Sequence, residues 1–321
     1  MVVTRRAVIR GTGRYLPERV VENSWFEDKI ETSDEWIRAR TGIERRHFAA
    51  EGETTSQMAV KAAQAALDRA GVAANDIDAI IVATSTPDLT FPSVATMVQA
   101  GLGMTRGFAF DVQAVCAGFV FALANADGLI RSGQAERVLV IGAETFSKLM
   151  DWEDRGTCVL FGDGAGAVVL EAATGERGIL STDLNSDGSY RDILYVDGGV
   201  ATTGTAGKLR MQGNILFRHA VEKLADTAHR AIGKAGLTPD DIDWLVPHQA
   251  NARIIAATAQ RMHLPMEKVI LTVADHGNTS AASIPLALSV ADDAGRFKEG
   301  DVVVTEAIGG GLSWGAVVLR W

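Results

Sequence analysis

Three side chains in this sequence have the types and settings for nucleophilic transfer chemistry. Cys116 lies in "DVQAVCAGFVFAL", between a strand-like run and a nearly all-apolar one. A sulfur in the first turn of the helix that follows would meet free N–H groups and the positive end of a helix dipole, which favour the thiolate. His248 closes the apolar run of "DWLVPHQAN", and Asn278 stands in "LTVADHGNTSAAS", just ahead of a helix expected from about Ser280. An imidazole can take a proton or donate one, and a carboxamide offers an N–H donor. A thiol with a base and a donor near it has the parts of nucleophilic catalysis. Taken alone, the Cys116 stretch reads most simply as a buried core cysteine, a common fate for this residue. The placement of His248 and Asn278 reverses that preference. The second cysteine, Cys158 in "GTCVLFG", has no such setting and is expected in the core.

That placement follows from an internal repeat. "AGVAANDIDAIIVAT" (Ala70 to Thr84) matches "AGLTPDDIDWLVPHQ" (Ala235 to Gln249), an offset of 235 − 70 = 165. At the same offset "ERVLVIGAE" from Glu136 falls on "DVVVTEAIG" from Asp301, and both are short β-branched apolar runs of the buried-strand kind. Before each copy, apolar residues recur at helical spacing and stop at a glycine, Gly71 or Gly236. A further pair, "GAGAVVLE" and "SWGAVVLR", matches at 315 − 166 = 149, so the loops differ in length. The expectation is an α/β protein of two similar halves, 1–175 and 176–321, packed about a pseudo-two-fold with sheets flanked by helices. In that frame Asn278 maps three residues before Cys116, since 278 − 165 = 113, and both occupy strand-to-helix junctions. Such junctions at strand C-termini are where α/β sheets place their sites. The Gly- and Thr-rich segment from Gly188 to Gly213 is expected to be an irregular connection over the site.

Composition sets outer limits. The chain has 321 residues, 47% hydrophobic and 22% charged, and 33 glycines suit close helix–sheet packing. A net charge of −9 argues against a nucleic-acid partner for the whole protein. Two cysteines exclude a disulfide framework and fit a reducing cytoplasm. The N-terminal "MVVTRRAVIRGTG" has no apolar stretch of signal-peptide length, and no run is long enough to span a bilayer. "GTG" at Gly11 lacks a dinucleotide fingerprint, "FGDGAG" lacks the Lys of a phosphate loop and reads as a hairpin turn, and the other histidines, His276 included, show no metal-ligand spacing. No metal or redox cofactor is expected.

Taken together and in order, "DVQAVCAGFVFAL", "VPHQAN", "DHGNTSAAS" and "GGGLSWGAVVLRW" resemble the thiolase superfamily, and within it the β-ketoacyl-[acyl-carrier-protein] synthase III family. "TSDEWIRARTGI", "FPS" and "DRGT" add to the likeness, which covers essentially the whole chain. The resemblance implies a thiolase-like fold. It also implies a decarboxylative condensation of a short acyl-CoA, with acetyl the first expectation, and malonyl-[acyl-carrier protein]. Acyl-CoA is then a substrate rather than a cofactor, and the enzyme is a homodimer. By match, Cys116 resembles the nucleophile, and His248 and Asn278 the pair that assists decarboxylation. The N–H groups of Cys116 and Gly310 resemble the oxyanion hole, where three consecutive glycines let backbone come close.

Trp36 and Arg155 resemble the residues that sandwich the CoA adenine, Arg40 a phosphate contact, and Asn214 and Asn251 the lining of the pantetheine tunnel. Stacking and phosphate binding suit indole and guanidinium groups. Without the resemblance, a core Trp and solvated arginines are the simpler reading. Phe91, Phe161 and Ile308 match the acyl pocket, Phe91 acting across the dimer interface. Ile308 departs from the Phe that many members carry, which puts strict acetyl preference in doubt. The stretch Gln249, Ala250, Asn251, Ala252 and Arg253 resembles the docking site for the acidic carrier protein, and Arg218 and Arg261, on helices nearby, would extend it as a basic rim, unrelated surface arginines being the simpler reading of those two. Three other readings stay open: condensation onto CoA-bound acceptors, a Cys–His–Asn hydrolase, and a non-catalytic binding protein. An apolar tunnel that excludes water weakens the hydrolase. The presence of all three polar residues weakens the binding protein.

Overall fold

The computed structural model describes residues 5–321, so the first four residues of the N-terminal stretch lie outside the described residues. Two sheets organise the chain. The first has the order β1-β7-β6-β4-β5, built from β1 (Arg5–Tyr15), β4 (Ala79–Ala83), β5 (Phe108–Val112), β6 (Arg137–Thr145) and β7 (Asp163–Thr174). The second has the order β11-β12-β13-β8, built from β8 (Gly178–Ser186), β11 (Trp244–Pro247), β12 (Val302–Gly309) and β13 (Ser313–Arg320). Pairing is parallel for β4·β6 and for β11·β12, and antiparallel for β6·β7·β1 and for β12·β13·β8. The β5 edge has only a remnant in the second sheet, a parallel bridge between Leu245 and Val269. The chain passes from one sheet to the other between Thr174 and Gly178.

Helices make the remaining layers. Against the outer face of the first sheet pack α2 (Thr55–Ala70) and α3 (Val94–Gly101), and against that of the second α5 (Gly213–Lys234) and α6 (Ala252–Arg261). Between the sheets lie α4 (Gly118–Arg131) and α8 (Ser283–Asp293), whose Phe119, Val120, Leu123, Ile284, Ala287 and Leu288 join buried residues of both sheets in one core. That position explains why "AGFVFAL" is apolar nearly all round: the first turns of the helix, Ala117 to Leu123, have no exposed residue to keep polar, and exposure begins only at Asn125. Gly71 and Gly236 follow α2 and α5 at φ 64 and 74, the left-handed turn that a Cβ disfavours. This is the thiolase-like architecture, with layers of helix, sheet, helix, sheet and helix.

Smaller elements cover the site. They are α1 (Asp34–Thr41), α7 (Val273–His276), the pair β2 (Arg19–Glu22) and β3 (Arg45–Phe48), and a hairpin of β9 (Leu194–Val196) with β10 (Leu209–Met211). The hairpin corrects the expectation of an irregular connection between Gly188 and Gly213. Its strands are three residues each, too short for alternation to register in a sequence dominated by Gly and Thr. "FGDGAG" is also corrected. Asp163 and Gly164 begin β7, and the buried Asp163 carboxylate accepts the N–H groups of Ala49 and Ser147 at 2.8 Å each.

Candidate active site

Each half turns from its sheet into its central helix through the same elbow. A 3₁₀ turn over Val115–Ala117 leads into α4, and a 3₁₀ turn over Ser280–Ala282 leads into α8, at 280 − 115 = 165. Val115 and Ser280, the first residues of the two turns, both have φ 49, a left-handed conformation rare for non-glycine residues. Cys116 is the next residue in the first elbow, and Ala281 takes its place in the second. The repeat therefore carries one nucleophile, with an inert copy across the pseudo-two-fold. Gly309, at the end of β12, backs the first elbow: a Cβ there would lie 2.7 Å from both Ala114 O and Cys116 N.

Asn278 precedes the second elbow. Its Oδ1 accepts the Ser280 N–H at 2.9 Å, so the free end of the carboxamide is its NH2 donor. Its backbone is pinned to the Leu160–Gly162 segment through Leu160 O (2.9 Å) and Gly162 N (3.0 Å). His248 follows β11, with its N–H donating to Glu306 O at 2.8 Å. Its ring Nδ1 meets Ser283 Oγ at 2.6 Å, which leaves Nε2 as the ring nitrogen free for chemistry. A cavity of about 450 Å³ is lined by Cys116, His248 and Asn278 together.

Burial sets the protonation states. It pushes the Cys116 thiol up to about 12 and holds His248 down to about 3. Burial thus favours the neutral thiol and the neutral imidazole, against the thiolate that a helix start favours. The sulfur sits in the turn ahead of α4, and loss of hydration there outweighs the pull of the helix end. Two acids in the site were not singled out from the sequence. Glu306, on β12, lines the same cavity; its carboxyl Oε2 has no hydrogen-bond partner among the described residues, and burial raises it to about 8. Glu144 is raised to about 7 by burial, although Thr86 Oγ1 (2.6 Å), Ser280 Oγ (3.1 Å) and the Ser85 N–H (3.1 Å) all donate to it. A single Glu inside an apolar strand run was the available signal for Glu306, and the elbow's second serine, Ser283, gave none.

The cavity opens towards solvent past Trp36, Arg40, Arg155, Asn214, Asn251 and Arg253. The guanidinium groups of Arg155 and Arg40 lie 4.7 and 4.9 Å from the Trp36 ring centroid. Asn251 caps α6 through Arg253 N (2.8 Å) and donates to Arg40 O (3.2 Å), tying the two sides of the opening together. Phe161 and Ile308 line the buried part, whereas Phe91 is 81% exposed and lines no part of it within one chain. Among the expected rim residues, Arg218, Arg253 and Arg261 are exposed, Ala250 and Ala252 are half-buried, and Arg261 faces Asp226 at 3.7 Å. Gln249 is the exception. It is fully buried, donates to Pro247 O and Ile270 O, and accepts from Thr272 N and Val273 N. Its side chain is spent on loop structure and cannot meet a partner surface. Cys158 is buried as expected, His276 is buried too, and no group of three or more His, Cys, Asp or Glu among the described residues could hold a metal.

With this geometry in place, comparisons assign the lineage. The profiles "3-Oxoacyl-[acyl-carrier-protein (ACP)] synthase III" and its C-terminal counterpart match residues 110–188 and 232–321. A β-ketoacyl-[acyl-carrier-protein] synthase III of Paracoccus denitrificans is 80% identical over 99% of this chain and 100% of its own. The chain belongs to the 3-oxoacyl-[acyl-carrier-protein] synthase III family. A synthase III of Rhodobacter capsulatus is 74% identical over 99% of this chain and 100% of its own. Among solved structures, the Aquifex aeolicus synthase III superposes with a TM-score of 0.94 at 47% identity, covering 98% of this chain and 100% of that one. A priming β-ketosynthase of the R1128 polyketide pathway gives 0.94 at 35%, covering 100% and 98%. Family membership makes the chain a condensing acyltransferase.

Proposed function

We propose that this synthase III member joins a short acyl group from acyl-CoA to the two-carbon unit of malonyl-[acyl-carrier protein], releasing CO2, through an acyl-Cys116 intermediate. The observation that carries this reading is one buried cavity lined by a thiol, an imidazole with Nε2 free, and a carboxamide with its NH2 free. In the first half-reaction Cys116 Sγ attacks the thioester carbon, its proton passes to His248 Nε2, and the CoA sulfur leaves and takes that proton. In the second, loss of CO2 leaves its electron pair on the malonyl unit as an enolate. His248 Nε2–H and Asn278 Nδ2–H are the donors for that oxygen. The enolate carbon attacks the acyl thioester, whose oxyanion is held by the N–H groups of Cys116 and Gly310; collapse of that intermediate breaks the bond to Cys116 Sγ, releases the 3-oxoacyl product on the carrier protein, and returns the sulfur as a thiolate that regains its proton from solvent.

CoA enters past Trp36, Arg40 and Arg155, with Asn214 and Asn251 along its pantetheine arm. A base that stacks on Trp36 takes a face that a guanidinium now covers. The rim arginines Arg218, Arg253 and Arg261 attract an acidic carrier protein to an otherwise acidic molecule. A second copy of the chain brings its Phe91 to the acyl pocket. Ile308, smaller than Phe, favours a second reading of specificity, in which primers longer than acetyl are accepted. Incubation with radiolabelled acetyl-CoA and peptide mapping tests the centre of this reading: label is expected on the Cys116 peptide, and label elsewhere or nowhere removes it. Competition between acyl-CoA lengths, with malonyl carrier protein as acceptor, then ranks the primers.

A further inference from the structure

His248 has two incompatible duties in the reaction proposed above. To take the Cys116 proton, Nε2 must be bare, so the neutral ring carries its hydrogen on Nδ1, which then needs an acceptor. To hold the enolate oxygen, Nε2 must carry the hydrogen, so Nδ1 is bare and is best served by a donor. Burial keeps the ring from resting as the cation, which would carry both hydrogens. A backbone carbonyl at Nδ1 would suit only the first duty, and a backbone N–H only the second.

The partner here is a hydroxyl. Ser283 Oγ lies 2.6 Å from Nδ1, on the first residue of α8, and is buried. The Gln249 N–H donates to the same oxygen at 3.3 Å. Gln249 is itself held by its four side-chain hydrogen bonds, so the oxygen is fixed while its hydrogen can turn. We propose that Ser283 is the positioning residue that lets His248 serve both half-reactions, accepting from Nδ1–H in acyl transfer and donating to bare Nδ1 in decarboxylation. Between the two steps CoA has left and water reaches the cavity. One water in the emptied tunnel gives a proton to Nε2 and takes the Nδ1 proton once the ring swings Nδ1 off Ser283 towards the cavity, so the ring changes tautomer with no net proton transfer.

This rests on the condensing reaction proposed above and is tested by separating its halves in Ser283→Ala. Acyl transfer to Cys116 is read by intact mass, and CO2 release from malonyl carrier protein is read without acyl-CoA. Acyl transfer is expected to slow about ten- to a hundredfold, because Nδ1–H is left buried without an acceptor, while decarboxylation stays within about threefold. Asn278→Ala is expected to show the opposite split, and Ser283→Thr, which keeps the hydroxyl, to restore acyl transfer. Equal losses in both halves, or unimpaired acyl transfer, overturn the role of Ser283. A wild-type protein that never acylates Cys116 overturns the reaction itself. Nitrogen NMR of histidine-labelled wild-type protein needs no variant: His248 is expected to hold its proton on Nδ1 in the free enzyme and on Nε2 once Cys116 is acylated. The same tautomer in both states overturns the proposal.

Discussion

At the scale of single residues, chemistry was legible where a side chain's type already limits its use. A Cys, a His and an Asn near mirrored junctions point to a nucleophilic thiol, and the family motifs around them make the reaction acyl transfer. Their protonation states were not legible, because these depend on how completely neighbours exclude water. Glu306 shows the same limit: in "VVVTEAIGG" nothing tells whether the carboxyl faces solvent or the cavity. It faces the cavity, and burial raises it from 4.5 to about 8. Below pH 4.5 the carboxyl is protonated in both folded and unfolded chains and has no effect on stability. Between there and about 8 only the unfolded chain ionises, so stability falls as pH rises, and the full penalty remains above. Glu306→Gln is therefore expected to raise the thermal midpoint by a few degrees at about pH 9 and to leave it nearly unchanged at about pH 4. Calorimetry across that range checks it. The same ionisation places a second negative charge beside the malonyl carboxylate. Wild-type decarboxylation should fall above about pH 8, and in Glu306→Gln that fall should be absent.

At the scale of elements, the repeat carried most of the fold. The strands β4 and β11, the strands β6 and β12, and the glycine stops after α2 and α5 all stand at the expected offset, because buried parallel strands leave a dense apolar signature. The elbows were only partly legible. A helix start near Ser280 was readable, but the left-handed residue before each helix was not: Val115 is β-branched and carries no turn signal. The strain is held by close packing, and Gly309 shows how close. Its missing side chain lets β12 approach the Cys116 N–H, where a Cβ would sit 2.7 Å away. Gly309→Ala is expected to shift the elbow by some tenths of an ångström and to slow acylation of Cys116 about a hundredfold. Far-UV circular dichroism should stay close to wild type, since both sheets remain. Acylation at the wild-type rate would mean that the elbow tolerates the displacement and that its fit to β12 does not govern the nucleophile.

At the scale of the whole molecule, one face is unfinished in the single chain. Leu89, Phe91, Tyr195 and Val200 are all exposed large apolar residues. They stand on or beside the loops that line a second cavity of about 720 Å³, bounded by Ser85–Thr90, by parts of the segment between Tyr195 and Leu209, and by Val115 and Phe146. A monomer rarely leaves so many bulky apolar side chains clustered in water. Val115, next to Cys116, lines this second cavity, so the exposed face backs directly onto the nucleophile's elbow. A second copy brought against this face would cover those side chains and carry its own Phe91 towards the acyl end of the active site. That arrangement gives Phe91 a role although it lines no part of the cavity in its own chain. Phe91→Asp places a charge where an aromatic ring would be buried, and is expected to shift sedimentation from dimer to monomer at micromolar concentration. Acyl transfer to Cys116 should then fall at least about tenfold, because the pocket loses one wall and water reaches the thioester. If the wild-type chain sediments as a monomer, the exposed face has another occupant and Phe91 cannot shape the primer pocket.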